Sequence, residues 1–214
     1  MDLTHFGHAC LLVATDRARL LIDPGTLSSG FDELSDLDAV LVTHEHADHV
    51  DVAAVRRLLT RHPAARLVVD SSTAVQLAGE DEFADVLADR VEVAQPGDTL
   101  TIAGERVDVL GGTHAPVWGD VPGCPNLAYL VGDGAFLHPG DSLLAPPGDV
   151  DVLAVPIDGP WLKLAEAVDW VRAVGPRVAV PIHEGELTDP AKYAGMLSAF
   201  VGERTTVRRL PLGG

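Results

Sequence analysis

The 214-residue chain carries 32 acidic against 15 basic residues, a formal charge of −17, and 47% of it is apolar. That length fits one domain, residues 1–214, with a substantial core and leaves no room for a second catalytic module. So negative a balance repels phosphate backbones, and long nucleic acid is not an expected partner.

In chain order, short apolar runs predict strands at Cys10–Val13, Arg19–Ile22 and Ala39–Val42. A helix follows over Val50–Arg61, where Val52, Val55, Leu58 and Leu59 repeat at helical spacing. Strands at Leu67–Val69 and Val91–Val93 flank helical segments at Thr73–Leu77 and Phe83–Leu87. Further strands are expected at Thr99–Ile102, Val107–Leu110, Leu127–Val131, Ala135–Leu137 and Val152–Val155, then at Val178–Val180 and Thr206–Leu210. Leu162–Val174 and Pro190–Val201 complete the helices. The latter has Asp189 as N-cap, Pro190 at the first helical position and an apolar face of Tyr193, Met196, Leu197, Phe200 and Val201. The alternation predicts a mixed α/β domain, most simply two sheets covered outside by helices, with the site on loops at the strand ends.

Between the third strand and the first helix lies Thr43-His44-Glu45-His46-Ala47-Asp48-His49, which crowds four potential metal ligands, His44, His46, Asp48 and His49, into six positions. Imidazole nitrogen with carboxylate oxygen suits zinc, and also iron or manganese, whereas an all-carboxylate cluster would suit calcium or magnesium. In extended chain, residues two apart point the same way, so His44 and His46 can converge on one ion while the turn into the helix aims Asp48 and His49 at a neighbouring point. Three more candidates follow strand-like runs in Gly/Pro contexts: His114 after Gly111-Gly112-Thr113, Asp141 in His138-Pro139-Gly140-Asp141-Ser142, and His183 in Val180-Pro181-Ile182-His183. Each alone reads as readily as a turn or a structural histidine. It is the set after HxHxDH that points to a metal site.

With all seven residues in place, the sequence resembles the metallo-β-lactamase superfamily. Leu20-Leu21-Ile22-Asp23-Pro24-Gly25 is similar to that superfamily's Asp-bearing early strand end. The opening Phe6-Gly7-His8-Ala9-Cys10, with His138–Ser142 and Pro181-Ile182-His183, looks most like the branch that contains L-ascorbate-6-phosphate lactonase. The chain is much shorter than that lactonase and has no segment matching a sugar-phosphate pocket. The resemblance implies an αββα sandwich with a dinuclear centre at its sheet edge. His44, His46 and His114 would hold one metal, Asp48, His49 and His183 the other, with Asp141 as the bridge. It implies two divalent transition-metal ions, zinc first, with manganese or iron as alternatives.

Two such ions ~3.5–4 Å apart repel by about 18 kcal/mol even at an effective dielectric of ~20, so anionic bridges are required. The expected reaction is hydrolysis of a small-molecule ester or lactone by metal-bound hydroxide, with Asp48 also orienting the nucleophile. A metallophosphodiesterase or nuclease-like hydrolase is the main alternative. Iron-dependent oxidation and a non-catalytic metal-binding scaffold rank below it.

Several residues keep two readings. Asp23 either accepts hydrogen bonds from the metal loop or caps the Pro24-Gly25 turn. His8 lies near the site by resemblance, although a strand-adjacent histidine satisfied by backbone is the simpler reading; His5, His62 and His138 receive no role. Trp118 and Trp161 read first as core and second as pocket lips, and Lys163 as a solvated residue or a partner for an anionic substrate group. The two cysteines lack CxxC spacing, so Cys10 reads as a core thiol and Cys124 as a loop thiol, unless it borders the site. The N-terminal residues form no basic-then-apolar leader, and no run approaches the ~20 apolar residues of a membrane span. A cytoplasmic protein without a membrane partner is expected, its oligomeric state open.

Overall fold

The computed structural model describes residues 1–80, 90–119 and 121–213. Two sheets face each other. The first has strand order β1-β2-β3-β4-β5-β6, formed by Asp2–His5, Leu11–Ala14, Arg19–Ile22, Ala39–Leu41, Arg66–Val69 and Val91–Val93. The second runs β13-β12-β11-β10-β9-β8-β7, with β7 Thr99–Ile102, β8 Glu105–Thr113, β9 Pro125–Val131, β10 Phe136–His138, β11 Val152–Pro156, β12 Val178–Ile182 and β13 Thr206–Val207. Helices α1 (Val52–Arg61) and α2 (Ser71–Ala78) cover the first sheet, and α3 (Leu164–Val174) and α4 (Pro190–Phe200) the second.

The layers follow from period-two patterning. Within β2 to β4, Leu11, Val13, Leu20, Ile22, Ala39 and Leu41 point between the sheets, where they meet Val107, Val109, Tyr129, Phe136, Ala154 and Val180. The intervening Leu12, Leu21 and Val40 pack outward with Val55, Leu58 and Leu59 of α1. On the other side Leu130, Leu137, Leu153 and Ala179 pack against Ala167, Val168, Val171 and Leu197 of the outer helices. The central strands of both sheets are therefore buried on both faces, which is why β2 to β5 and β9 to β12 read as nearly continuous apolar runs. This is the αββα sandwich that the resemblance implies.

Most expected elements are present with shifted ends. The first helix starts at Val52, because Asp51 caps it by accepting from Ala54 N at 3.0 Å. The second runs over Ser71–Ala78, capped by Asp70, and the third starts at Leu164. The last strand stops at Val207 instead of Leu210. On α4 the buried stripe is Ala194 and Leu197, continued by the C-cap Val201, and it leaves Met196 and Phe200 40% and 57% exposed; the expected apolar face was too wide. Strand β1 was not anticipated, being a four-residue strand of mostly polar sequence at the sheet edge, paired along its length to β2 and bridged at His5 to Leu212. The helix expected at Phe83–Leu87 lies outside the described residues. No helix among those described is long and apolar enough to cross a membrane.

Strand direction sets the place of the site. β1, β3 and β4 run one way in the first sheet, and β8, β10, β11 and β12 run together in the second. His8, Asp23, His44, His114, Asp141 and His183 follow the C-terminal ends of β1, β3, β4, β8, β10 and β12 within a few residues. They meet at one edge of the sandwich.

Candidate metal centre

The HxHxDH loop leaves β4 through Val42 and Thr43 and is tied to both sheets. Tyr129 Oη, fully buried, donates to Val42 O at 2.7 Å, and Leu127 N donates to Thr43 O at 2.8 Å. Asp23, with no exposed surface, accepts from Thr43 N, Thr43 Oγ1 and His49 Nδ1, each at 2.8 Å. The supporting reading of Asp23 is therefore the one realised. Three residues of this region adopt positive φ, His8 at 52°, Asp23 at 51° and His183 at 62°, a costly conformation for non-glycine residues that clusters at functional sites.

All seven candidate ligands converge, and their side-chain atoms form overlapping groups within 4.8 Å: His44, His46 and His114; His44, His49 and Asp141; and His8, Asp48, His49 and His183. His44 Nε2 and His46 Nδ1 stand 3.0 Å apart. Thr43 Oγ1, having given its proton to Asp23, accepts from His44 Nδ1 at 3.0 Å, so the His44 Nε2 lone pair is free to face His46. Three atoms that face the cluster, His49 Nε2, His183 Nε2 and Asp141 Oδ1, are buried without a hydrogen-bond partner of good geometry. Buried polar atoms are seldom left so, and a cation at their convergence satisfies them.

Electrostatics divide the imidazoles into two kinds. Burial, helped by neighbouring histidines, pulls His44 well below its ordinary pKa and His46 below it as well, leaving lone pairs available for a metal. His49 behaves oppositely. Burial would lower it too, but Asp141 and Asp23 on either side raise it well above the ordinary value. His114 is also raised against burial, by hydrogen bonds to Asp141 and to Ala115 O, the latter 2.6 Å from Nδ1. Asp141 stays ionised despite burial because His49, His114 and His183 surround it, at 3.1, 3.1 and 3.2 Å. Asp48, half-buried, is likewise depressed against the effect of burial by His8, His49 and His183. His49 and His114 thus bind a proton more readily at positions where a metal cation would compete for the same nitrogens.

The sequence under-read four residues. His8 is not satisfied by backbone alone. Its Nδ1 accepts from Gly185 N at 3.1 Å, so its Nε2 donates to Asp48 Oδ2 at 3.0 Å, and its ring lies 3.9 Å from that of His183. Trp161 is buried, but over the site and not in the core; its Nε1 donates to Asp141 Oδ2 at 2.8 Å. Trp118 is 79% exposed instead of core. Cys124 borders the site after all, its Sγ 3.9 Å from His46 Nε2, on the ring edge away from His44. Burial next to Glu45 and Asp70 pushes that thiol up to about 11, so it is neutral near pH 7. Lys163 is a solvated residue at the start of α3, paired with Glu166 at 3.8 Å. His138 holds the Asp141 turn, accepting from Gly140 N and donating to Ala9 O. His5 Nε2 lies 3.0 Å from His8 O, and His62 reaches Leu34 O at 3.1 Å.

A cavity of about 390 Å³ opens over the cluster, bounded by His46, Asp48, His114, Asp141, Trp161 and His183. That volume lies within the range of small-molecule pockets.

Comparison with known proteins agrees with this geometry. Residues 2–183 match the model of the beta-lactamase superfamily domain. Protein Rv0786c of Mycobacterium tuberculosis is 45% identical over 204 residues, covering 92% of each chain. A UPF0173 metal-dependent hydrolase of Opitutus terrae is 30% identical over 218 residues and 91% of each chain. A crystal structure of a Parabacteroides distasonis protein superposes with a TM-score of 0.77 at 20% identity, covering 98% of this chain and 92% of the other, which bears on the fold alone. The chain therefore belongs to the UPF0173 metal-dependent hydrolases of the metallo-β-lactamase superfamily.

Proposed function

We propose that the protein uses two divalent transition-metal ions to hydrolyse a small-molecule ester or lactone. The observation that carries this reading is the convergence of seven His and Asp side chains beneath a cavity of small-molecule size, with His49 Nε2, His183 Nε2 and Asp141 Oδ1 buried and unpartnered among them. His44, His46 and His114 would hold one ion, Asp48, His49 and His183 the other, and Asp141 lies between the two groups. Such ions would polarise a carbonyl oxygen and bring the pKa of a water toward ~7.

The chain's own residues fix the rest. The His49 Nδ1 proton goes to Asp23 and that of His114 Nδ1 to Ala115 O, which orients each Nε2 inward. Asp48 stays ionised, its side chain 30% exposed to the cavity and its Oδ2 held by His8, so it can accept a hydrogen bond from the attacking water and align it. No nucleophilic side chain is needed. Ser142 Oγ donates to Pro139 O at 3.0 Å and has no imidazole base, while Cys124 stays a thiol. Ser142→Ala and Cys124→Ala are expected to keep kcat/KM within about tenfold of wild type on any ester that turns over, Cys124→Ala showing the larger loss through His46. An acyl-enzyme burst, or inactivity of either variant at full metal content, would replace this mechanism with covalent catalysis.

Metal uptake supplies the direct test. Elemental analysis after loading with zinc or manganese should approach two ions per chain. Because His49 is raised well above its ordinary pKa and His114 is raised as well, the metals must compete with protons at both. Affinity should therefore fall as pH is lowered, and calorimetry near pH 7 in buffers of different ionisation enthalpy should show net proton release. Saturation at one ion, with Asp48, His49 and His183 dispensable, removes the dinuclear model. We also propose that long nucleic acid is not a partner; submicromolar binding with a steep salt dependence would count against that.

A further inference from the structure

Beyond the candidate ligands, the cavity over the cluster is walled by Thr26, Leu27, Ala47, Val117, Pro160 and Trp161, and its one other charged side chain is Glu186. Leu27 and Val117 are 40% and 58% exposed, so apolar surface faces whatever enters. A second cavity of about 600 Å³ shares His114 and follows the 111–123 segment; among the described residues its lining holds no ionisable side chain except that histidine. All 15 lysines and arginines lie within the described residues, and none lines either cavity. The nearest in sequence, Lys163, points to solvent and pairs with Glu166.

We infer that the substrate's non-reacting part is apolar and uncharged, and that a carboxylate or phosphate there is rejected. This rests on the hydrolase reading and names the substrate class of the same site. The metals would neutralise only the reacting group. A second anion farther out would meet Glu186 in a chain of formal charge −17, with no guanidinium or ammonium beside it. Sugar phosphates, which call for a fixed cation at the phosphate, fit poorly.

The test compares p-nitrophenyl octanoate with the mono-p-nitrophenyl ester of suberic acid, which has the same chain length and ends in a carboxylate, on the metal-loaded protein. We expect kcat/KM at least about tenfold higher for the octanoate. Glu186→Lys should narrow that ratio by raising the suberate rate. Equal rates, or a preference for the suberate ester, overturn the inference. If neither ester is cleaved, it is the ester-hydrolase reading that has failed. Binding then decides the inference, by tryptophan fluorescence with octanol and ω-hydroxyoctanoate. Tighter binding of octanol supports it, and equal or tighter binding of the carboxylate overturns it.

Discussion

Asp141→Ala is expected to lower kcat/KM by at least about 10³-fold, beyond the ~10–100-fold typical of residues that only support a ligand. The carboxylate is buried and ionised among three imidazoles, and it also accepts from Trp161 Nε1 at 2.8 Å. Without it the proposed centre loses the negative charge between two cations, the place where repulsion is largest. The expected signature is a fall in metal stoichiometry measured by elemental analysis, together with loss of turnover. The backbone of the turn remains secured by Asp141 N donating to Asn126 Oδ1 at 3.0 Å and Ala115 N donating to Asp141 O at 2.8 Å, so the variant should fold. Asp141→Asn keeps the shape and the acceptor for Trp161 but not the charge. If charge is what matters, it should resemble the alanine variant in metal content. Full occupancy and activity in Asp141→Ala would remove this residue from the centre.

The two kinds of site residue differed in how legible they were. His44, His46, Asp48 and His49 announce themselves because four ligands in six positions have few structural explanations. His114, Asp141 and His183 become readable once that motif is fixed, since each follows an apolar run through Gly or Pro. The layers were equally open to reading: β2 to β5 and β9 to β12 are buried almost throughout, so their apolar runs show in sequence. His8, Trp161 and Cys124 escaped because their roles depend on segments distant in sequence. His8 meets Asp48 across 40 positions, and Cys124 meets His46 across 78. A signal for His8 did exist. Had Asp2–His5 been recognised as a strand parallel to β3, the Gly7-His8 turn would have fallen at the same sheet edge as the ligand-bearing ends. Trp161 carried a weaker signal, because its Gly159-Pro160 context suggests a pocket lip while a tryptophan reads first as core.

Gly25→Ala is expected to lower turnover by about 10²-fold and to cost one metal ion, although Gly25 coordinates nothing. A Cβ built there would lie 1.8 Å from Asp48 O, 2.1 Å from Asp48 C and 2.6 Å from His49 N, all backbone atoms that no side-chain rotation can move aside. The two segments are laced together around this point, with Thr26 N donating to Ala47 O at 2.8 Å and Asp51 N to Pro24 O at 2.9 Å. The loop bearing Asp48 and His49 must therefore shift by more than an ångström or break those bonds. Overpacking a rigid site costs about 1–3 kcal/mol and sometimes more, and backbone against backbone belongs at the upper end. Misplacement of this order lowers turnover by about 10²-fold. We expect a lower Tm and loss of the metal proposed at Asp48, His49 and His183, while the ion at His44, His46 and His114 is retained. Gly195→Ala is the matched control. It lies in α4 with nothing within 4 Å of a built Cβ, and alanine in a helix gains roughly 0.5–1 kcal/mol over glycine, so its Tm should hold or rise and its metal content stay at wild type. If Gly25→Ala matched wild type in Tm, metal content and kcat/KM, the close approach of these two loops would not be what positions Asp48 and His49.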